Sequence, residues 1–324
     1  MRSERRWDTN SKKSIIFRLV WLQIYEFSGK YRTFDLRIII STMEKKVKAA
    51  LIYDFDGTLS PGNMQEYGFI AAVGKSNEEF WHESNVLAED FDADPILSYM
   101  LKMLEHASKT NTPIKREDFR ATGRNIQLYK GVESWFERIN RYGQEAGVQV
   151  EHYVLSSGLK EIIEGTSIAQ YFKRIYACEF LYKNGQAIWP KMAVNYTNKT
   201  QFVYRINKGV LDINNDADLN SSRPDSEKRV FFSNMIYIGD GLTDVPCMKL
   251  VKQSGGHSIA IYNPGQEHQA APLLKHERVD WMFEADYSEG SELDKTMQAL
   301  LQNLAYFNQL KSINEQQKRD FNVK

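Results

Sequence analysis

Asp54-Phe55-Asp56-Gly57-Thr58 sets two carboxylates two residues apart, directly after the apolar run from Val47 to Tyr53. A strand repeats every two residues, so Asp54 and Asp56 fall on one side if strand geometry persists through the turn. Two carboxylates that share a site can do acid–base work or hold a hard cation. The calcium-loop pattern fails here, because Gln65 stands where its closing Glu is expected and the intervening ligands and glycine are missing. A turn or a catalytic pair remains. Gly239-Asp240-Gly241-Leu242-Thr243-Asp244 is a second acidic cluster, also at the end of an apolar run, with glycines that let backbone approach a ligand. Alone it could be a helix start, with Asp244 capping a helix that includes Met248 and Leu250. Ser156-Ser157-Gly158 could likewise be a helix cap, and Lys199 a solvated helix lysine.

The elements that carry these residues give them a common address. Val47–Tyr53 reads as a buried parallel strand, as does His152–Leu155 ahead of Ser156. A helix follows near Lys160, then a strand at Arg174–Ala177. Residues Glu179–Trp189 hold Asn184-Gly185 between apolar flanks, a hairpin signal. Lys199–Lys208, stopped by Gly209, reads as a helix whose first turn holds Lys199. Met235–Ile238 and Ser258–Tyr262 are two further strands. The polar stretch Asp212–Arg229 is expected to be a mobile surface loop. From Ser60 to about Gly147 the pattern is helical, as at Ile96–His106 and Val132–Tyr142. Leu293–Leu310 is an amphipathic helix with Met297, Leu300, Leu301 and Leu304 on one face. Strands alternating with helices predict an α/β fold, a doubly wound, Rossmann-like parallel sheet. In such sheets ligands gather beyond the carboxyl ends of the strands, which is where Asp54, Ser156 and Asp240 fall.

In chain order these elements are DFDGT, a strand-terminal Ser, a Lys opening a helix, and GDGLTD. Together they resemble the four motifs of the haloacid-dehalogenase-like (HAD) superfamily, over roughly Lys46 to Asp286. The helical stretch looks like the cap that such enzymes insert after the first strand. That arrangement resembles the phosphoserine-phosphatase-like branch, whose first motif usually has Ser where this chain has Gly57. The resemblance implies a magnesium-dependent phosphatase acting on a small phosphorylated metabolite. In it Asp54 would be the nucleophile, forming an aspartyl phosphate. Asp56 would protonate the leaving oxygen and then activate water. Mg2+ would be held by the Asp54 carboxylate, the Asp56 backbone carbonyl and Asp240, with Asp244 behind them. Ser156, Ser157, Gly158 and Lys199 would hold the phosphoryl group, with Lys199 also fixing Asp54. Alternatives of the same fold are a phosphomutase and a catalytically inactive binding protein. A dehalogenase is disfavoured, since carbon–halogen cleavage needs neither Asp56 as an acid nor the metal. Specificity is expected from the cap, with Glu66, Arg120, Arg124 and Tyr129 as candidates.

The resulting division is an N-terminal extension over 1–45, a core over 46–60 and 150–290, a cap over 61–149, and a C-terminal helix over 291–324. The 324 residues are 42% hydrophobic, enough for one large domain or two ordinary ones. Lys and Arg number 42, and Asp and Glu also 42, so no overall basic field exists for nucleic acid or an anionic membrane. The two cysteines, Cys178 and Cys247, are too few for a disulfide framework and suit reduced thiols in a cytoplasmic protein. In the extension, Arg2, Arg5, Arg6, Lys12 and Lys13 precede an apolar stretch from Ile15 to Phe27 that Arg18, Gln23 and Glu26 interrupt. This predicts neither a membrane span nor a signal peptide. It leaves a basic amphipathic anchor or an accessory segment, with Met43 as an alternative start. Oligomeric state cannot be read from these patterns.

Overall fold

The computed structural model describes residues 47–224 and 227–321, so the expectations for the N-terminal extension lie outside the described residues. Strand β1 (Val47–Tyr53) pairs in parallel with β2 (Val148–Leu159) on one side and with β5 (Met235–Gly239) on the other. A strand hydrogen-bonded on both edges and covered on both faces has no side for polar residues, which is why β1 is apolar throughout its buried part, Ala49–Tyr53. Beyond β2 lie β3 (Phe172–Lys183) and β4 (Gln186–Met192), and beyond β5 lie β6 (His257–Tyr262) and β7 (Trp281–Glu284). The order is β4-β3-β2-β1-β5-β6-β7, parallel except for the β3–β4 pair. The chain therefore builds outward one way from β1, returns, and builds outward the other way. The switch point lies between the carboxyl ends of β1 and β5.

Register then fixes what meets there. Tyr53 is level with Val154 on β2 and with Ile238 on β5. The next residue of β1 is Asp54, whose N–H donates to Ile238 O at 2.9 Å. Ser156 and Asp240 each lie two residues past the partners of Tyr53, and Asp54 one past Tyr53 itself, so residues from three neighbouring strands fall within one residue of the same level. The β3–β4 hairpin turns at Asn184 (φ 52°) and Gly185 (φ 78°), the paired positive angles of a two-residue turn that suits strand twist.

Helices α1 (Phe69–Ala72), α2 (Asn77–Phe91), α3 (Pro95–Thr110) and α4 (Arg116–Gly123) follow β1. Their ends are encoded locally. Ser76 and Glu79 form a reciprocal capping box on α2, while Asp94 caps α3 with Pro95 in its first position. Helix α5 (Val132–Ala146) differs from these four, although the expected insertion runs to 149. Its Trp135, Phe136 and Ile139 are buried, and it packs against β2 and against the C-terminal helix, where Arg138 Nε donates to Asp294 Oδ1 at 2.8 Å. It thus covers one face of the sheet.

Helix α6 (Lys160–Ile163) leaves β2, and α7 (Lys199–Lys208) has the expected bounds, closed by Gly209 at φ 73°. The stretch 212–229 departs from the expected loose loop: it carries a short helix, α8 (Asp216–Asn220), held by side chains of α7. Arg205 donates to Asp212 O, Ile213 O and Asp216 Oδ1, and Lys208 Nζ to Leu219 O and Ser221 O. Helices α9 (Val245–Gln253) and α10 (Glu267–Lys275) follow β5 and β6. Helix α11 (Glu292–Asp320) buries Leu293, Met297, Leu300, Leu301 and Leu304, then runs ten residues past the expected end at Leu310. No helix among the described residues is long and apolar enough to cross a membrane.

Candidate active site

The loop that follows β1 is tied back on itself before any ligand is considered. Thr58, Leu59 and Ser60 all donate their N–H groups to Phe55 O, and Tyr287 Oη donates to Thr58 O at 2.6 Å. Asp54 is buried, and its Oδ1 accepts the N–H of Phe55 at 2.7 Å. Thr58 Oγ1 donates to Asp240 Oδ1 at 3.3 Å, which joins the first acidic cluster to the second. Gly57 sits between them at φ 74°, and a Cβ there would lie 2.2 Å from Asp240 Oδ2. Both the backbone angle and the space demand glycine. Gly57→Ala is therefore expected to lower stability by about 1–3 kcal/mol and to push the Asp240 side chain aside. A thermal melt beside the parent protein measures the first effect.

Lys199 opens α7 and points into the sheet rather than into solvent. Its Nζ is fully buried, 2.9 Å from Asp54 Oδ2 and 2.8 Å from Asp244 Oδ1. Just upstream, Asn195 and Asn198 each accept the other's backbone N–H on a side-chain oxygen, which sets the turn that aims Lys199. Asp244 has little freedom: Tyr237 Oη donates to its Oδ1 at 2.7 Å, and Gly241 N–H donates to its Oδ2 at 3.4 Å. The resulting balance is one ammonium against several carboxylates. Burial and Asp244 push the Asp54 carboxyl well above its ordinary value, and Lys199 does not fully offset them. Asp240 is raised to about 7, first by burial and then by Asp244. Lys199 pays for its burial through Asp244 and Asp54, and the net effect holds its ammonium firmly charged.

Asp54, Asp240 and Asp244 each offer an oxygen, and the three lie within 4.8 Å of one another. An all-oxygen set with uncompensated negative charge suits a hard divalent cation such as Mg2+. The oxygens of Asp244 are already engaged by Lys199, Tyr237 and Gly241. Among the described residues Asp240 is the freest donor, held only by Thr58 Oγ1, while each Asp54 oxygen has one protein partner, Phe55 N–H or Lys199, and Asp244 holds Lys199 from the far side.

On the β2 side, Ser156 is buried and its Oγ accepts the N–H of Gly158 at 3.0 Å. Ser157 Oγ is buried without a hydrogen-bond partner among the described residues, while Ser157 O accepts Tyr99 Oη from α3 at 2.7 Å. Asp56 faces this segment, with its Oδ1 accepting the N–H of Met64 at 3.0 Å. Burial, then the neighbouring Asp54, raises the Asp56 carboxyl well above its usual range.

The structure thus brings Asp54, Asp240, Asp244 and Lys199 into one group and places Asp56 beside the Ser156–Gly158 segment. The expected cap residues fare differently. Glu66 Oε1 accepts from Trp81 Nε1 at 2.9 Å and from Asn63 Nδ2 at 2.7 Å, so its carboxylate is fixed near the catalytic loop. Tyr129 hydrogen-bonds Asn263 Oδ1, and its N–H reaches Leu59 O at 3.0 Å. Arg120 does not join the group, because its guanidinium pairs with Glu164 at 2.6 Å. Arg124 stands exposed just after α4 and contacts none of these side chains among the described residues. Sequence patterns missed Tyr237 and Tyr99 as members and gave no individual role to Thr58 or to Met64, although Met64 lies in Asn63–Tyr67, the stretch expected to be the best candidate for substrate contact. Thr58 was signalled by lying within the first motif; the others look like ordinary apolar positions of a strand, a helix and a turn.

Comparison with known proteins follows this geometry. The sequence model of a family described as "haloacid dehalogenase-like hydrolase" matches residues 51–249. A protein of Borreliella burgdorferi named only as uncharacterized is 28% identical over 281 residues, covering 77% of this chain and 95% of that protein. Among solved structures, a substrate-bound phosphoserine phosphatase complex is similar at TM-score 0.49 and 14% identity, covering 79% of this chain and 99% of that one. A phospho-aspartyl intermediate analogue of phosphoserine phosphatase is similar at TM-score 0.48 and 16% identity, covering 78% and 99%.

Proposed function

We propose a magnesium-dependent phosphatase, since the chain belongs to the haloacid dehalogenase-like hydrolases and its strand ends gather the groups that phosphoryl transfer needs. The observation that carries the reading is the buried Asp54 side chain, 2.9 Å from the Lys199 ammonium, with a second carboxyl, Asp56, two residues away and held by Met64 N–H at 3.0 Å. Asp54 attacks phosphorus, and the bond to the leaving oxygen breaks as the aspartyl phosphate forms. Asp56 gives its proton to that oxygen, then takes one from the water that hydrolyses the intermediate. Ser156 Oγ and the N–H groups of the 157–158 segment hold the phosphoryl oxygens, and Lys199 offsets their charge while fixing Asp54.

Mg2+ would be held by Asp54, the Asp56 carbonyl and Asp240, and when bound it supplies compensation for phosphoryl negative charge. Asp244 keeps Lys199 in line. The substrate is a small phosphorylated metabolite, and Glu66, fixed by Trp81 and Asn63 at the start of the cap, is the cap residue best placed to meet it. The buried free thiols of Cys178 and Cys247 suit a cytoplasmic protein.

Hydrolysis of a generic aryl phosphate, with magnesium and with chelator, tests this. Metal-dependent phosphate release is expected; its absence from folded protein, across a panel of phosphorylated metabolites, would move the reading to a mutase or a binding protein. Asp240→Asn is expected to raise the magnesium needed for half-maximal release by about tenfold or more, the scale for losing a charged contact. An unchanged magnesium titration would take Asp240 off the list of ligands.

A further inference from the structure

Met64 is fully buried at the first position of a short 3-10 turn, Met64–Tyr67, through which the chain leaves the catalytic loop for the helical insertion. Three contacts meet on this one residue. Its backbone N–H donates to Asp56 Oδ1 at 3.0 Å. Its Sδ accepts the N–H of Leu159, at the end of β2, also at 3.0 Å. Its terminal methyl fills the room above Gly158, where a Cβ would lie 2.1 Å from Met64 Cε, 2.6 Å from Sδ and 3.0 Å from Asp56 Oδ2. Asp56, Met64 and Gly158 are therefore mutually packed, with one carboxyl oxygen pinned by Met64 and the other lying over Gly158.

A side-chain carboxyl held by one backbone N–H can still swing when that backbone shifts. Here the backbone of residue 64 is anchored by its own side chain, wedged on the β2 end. We propose that Met64 is the positioning residue for Asp56: the thioether wedge over Gly158 fixes the 64 N–H, which holds Asp56 with its free oxygen facing the phosphoryl-binding segment. The proposal rests on the phosphatase reading, in which that free oxygen delivers a proton to the leaving group. It also gives the glycine at 158 a reason, since any side chain there would expel the wedge.

The test separates proton delivery from all other functions by changing the leaving group. An aryl phosphate departs as a stabilised phenolate and needs little protonation, whereas an alkyl phosphate departs as an alkoxide and depends on the acid. kcat/KM is measured on both substrates at saturating magnesium for the parent protein, Met64→Ala, Met64→Leu, and Asp56→Asn as the reference for a lost acid. General acid–base catalysis contributes roughly a hundredfold to ten-thousandfold, so Met64→Ala is expected to lose at least about tenfold more on the alkyl than on the aryl phosphate, in the direction of Asp56→Asn. Met64→Leu, which keeps most of the volume, should recover most of the difference. If the alanine variant melts out, Met64→Val carries the same comparison with a smaller truncation. An equal loss on both substrates, or no loss, overturns the proposal while leaving the phosphatase reading intact. A parent protein that hydrolyses neither substrate overturns both.

Discussion

Asp54→Asn is expected to lose turnover by roughly a thousandfold or more, the scale on which a covalent nucleophile acts, while the folded state survives. The amide keeps the size of the carboxyl, and its one oxygen can keep the contact with Lys199, while its NH2 takes the place of the oxygen that now accepts from Phe55 N–H, a loss of one hydrogen bond. The substitution also removes one of the negative charges that crowd the β1 and β5 ends, where Asp244 and Asp240 both push the Asp54 carboxyl up. No large fall in melting temperature should accompany the loss. A variant that is folded and equally active would remove Asp54 from the chemistry.

Lys199→Met has the opposite profile, with stability lost as well as turnover. Among the described residues Lys199 is the one cation in contact with Asp54 and Asp244, and all three are buried. Methionine fills much of the space but leaves the Asp54 and Asp244 carboxyls facing each other without the cation between them. Breaking a buried ion pair from one side costs about 3–5 kcal/mol, because the remaining charge is stranded. In a protein of this size that corresponds to a melting point lower by roughly 10 °C, measured in chelator so that no divalent cation substitutes for the ammonium. Adding Asp244→Asn should restore part of the stability by removing one stranded charge, and restore none of the activity. A melting point unchanged in Lys199→Met would contradict the electrostatic account of the site.

Much of this site was legible because its addresses are set by strands. β1, β2, β5 and β6 each bury a short apolar run, Ala49–Tyr53, Tyr153–Leu155, Met235–Ile238 and Ile259–Ile261, whose end can be counted, and Asp54, Ser156 and Asp240 fall at or just past the ends of the first three, although β2 itself continues to Leu159. Strand β7 left no such run: Trp281–Glu284 is four residues at the sheet edge, half-exposed, and its pairing with β6 is a tertiary event. The side of the fold on which a helix packs is equally silent. Trp135, Phe136 and Ile139 form the same stripe whether α5 covers an insertion or the sheet, and only the partners, β2 and α11, decide it. The C-terminal helix continues past Leu310 on Lys311, Glu315, Gln316, Gln317 and Lys318, good helix formers with no apolar period to mark them.

The side chains that tune the site were the least legible. Tyr237 supports Asp244 from inside β5, and Tyr99 reaches Ser157 O from α3, 58 residues away in sequence. Each reads as a core aromatic until the fold gives its hydroxyl a partner. Arg120 shows the converse: a charged residue in the cap suggests an anion, and in the structure its guanidinium pairs with Glu164. Lys199 was legible only as one of four ordered motifs, since nothing in its own helix distinguishes a buried lysine from a solvated one.

The central claim is that Asp54 is transiently phosphorylated, and acid quenching during turnover tests it directly. Protein mixed with magnesium and an aryl phosphate, quenched, digested and weighed by mass spectrometry should carry one phosphoryl group on the peptide that contains Asp54, labile to hydroxylamine and absent from Asp54→Asn. Steady phosphate release with no phosphorylated peptide, or with the phosphoryl group on another residue, would contradict it.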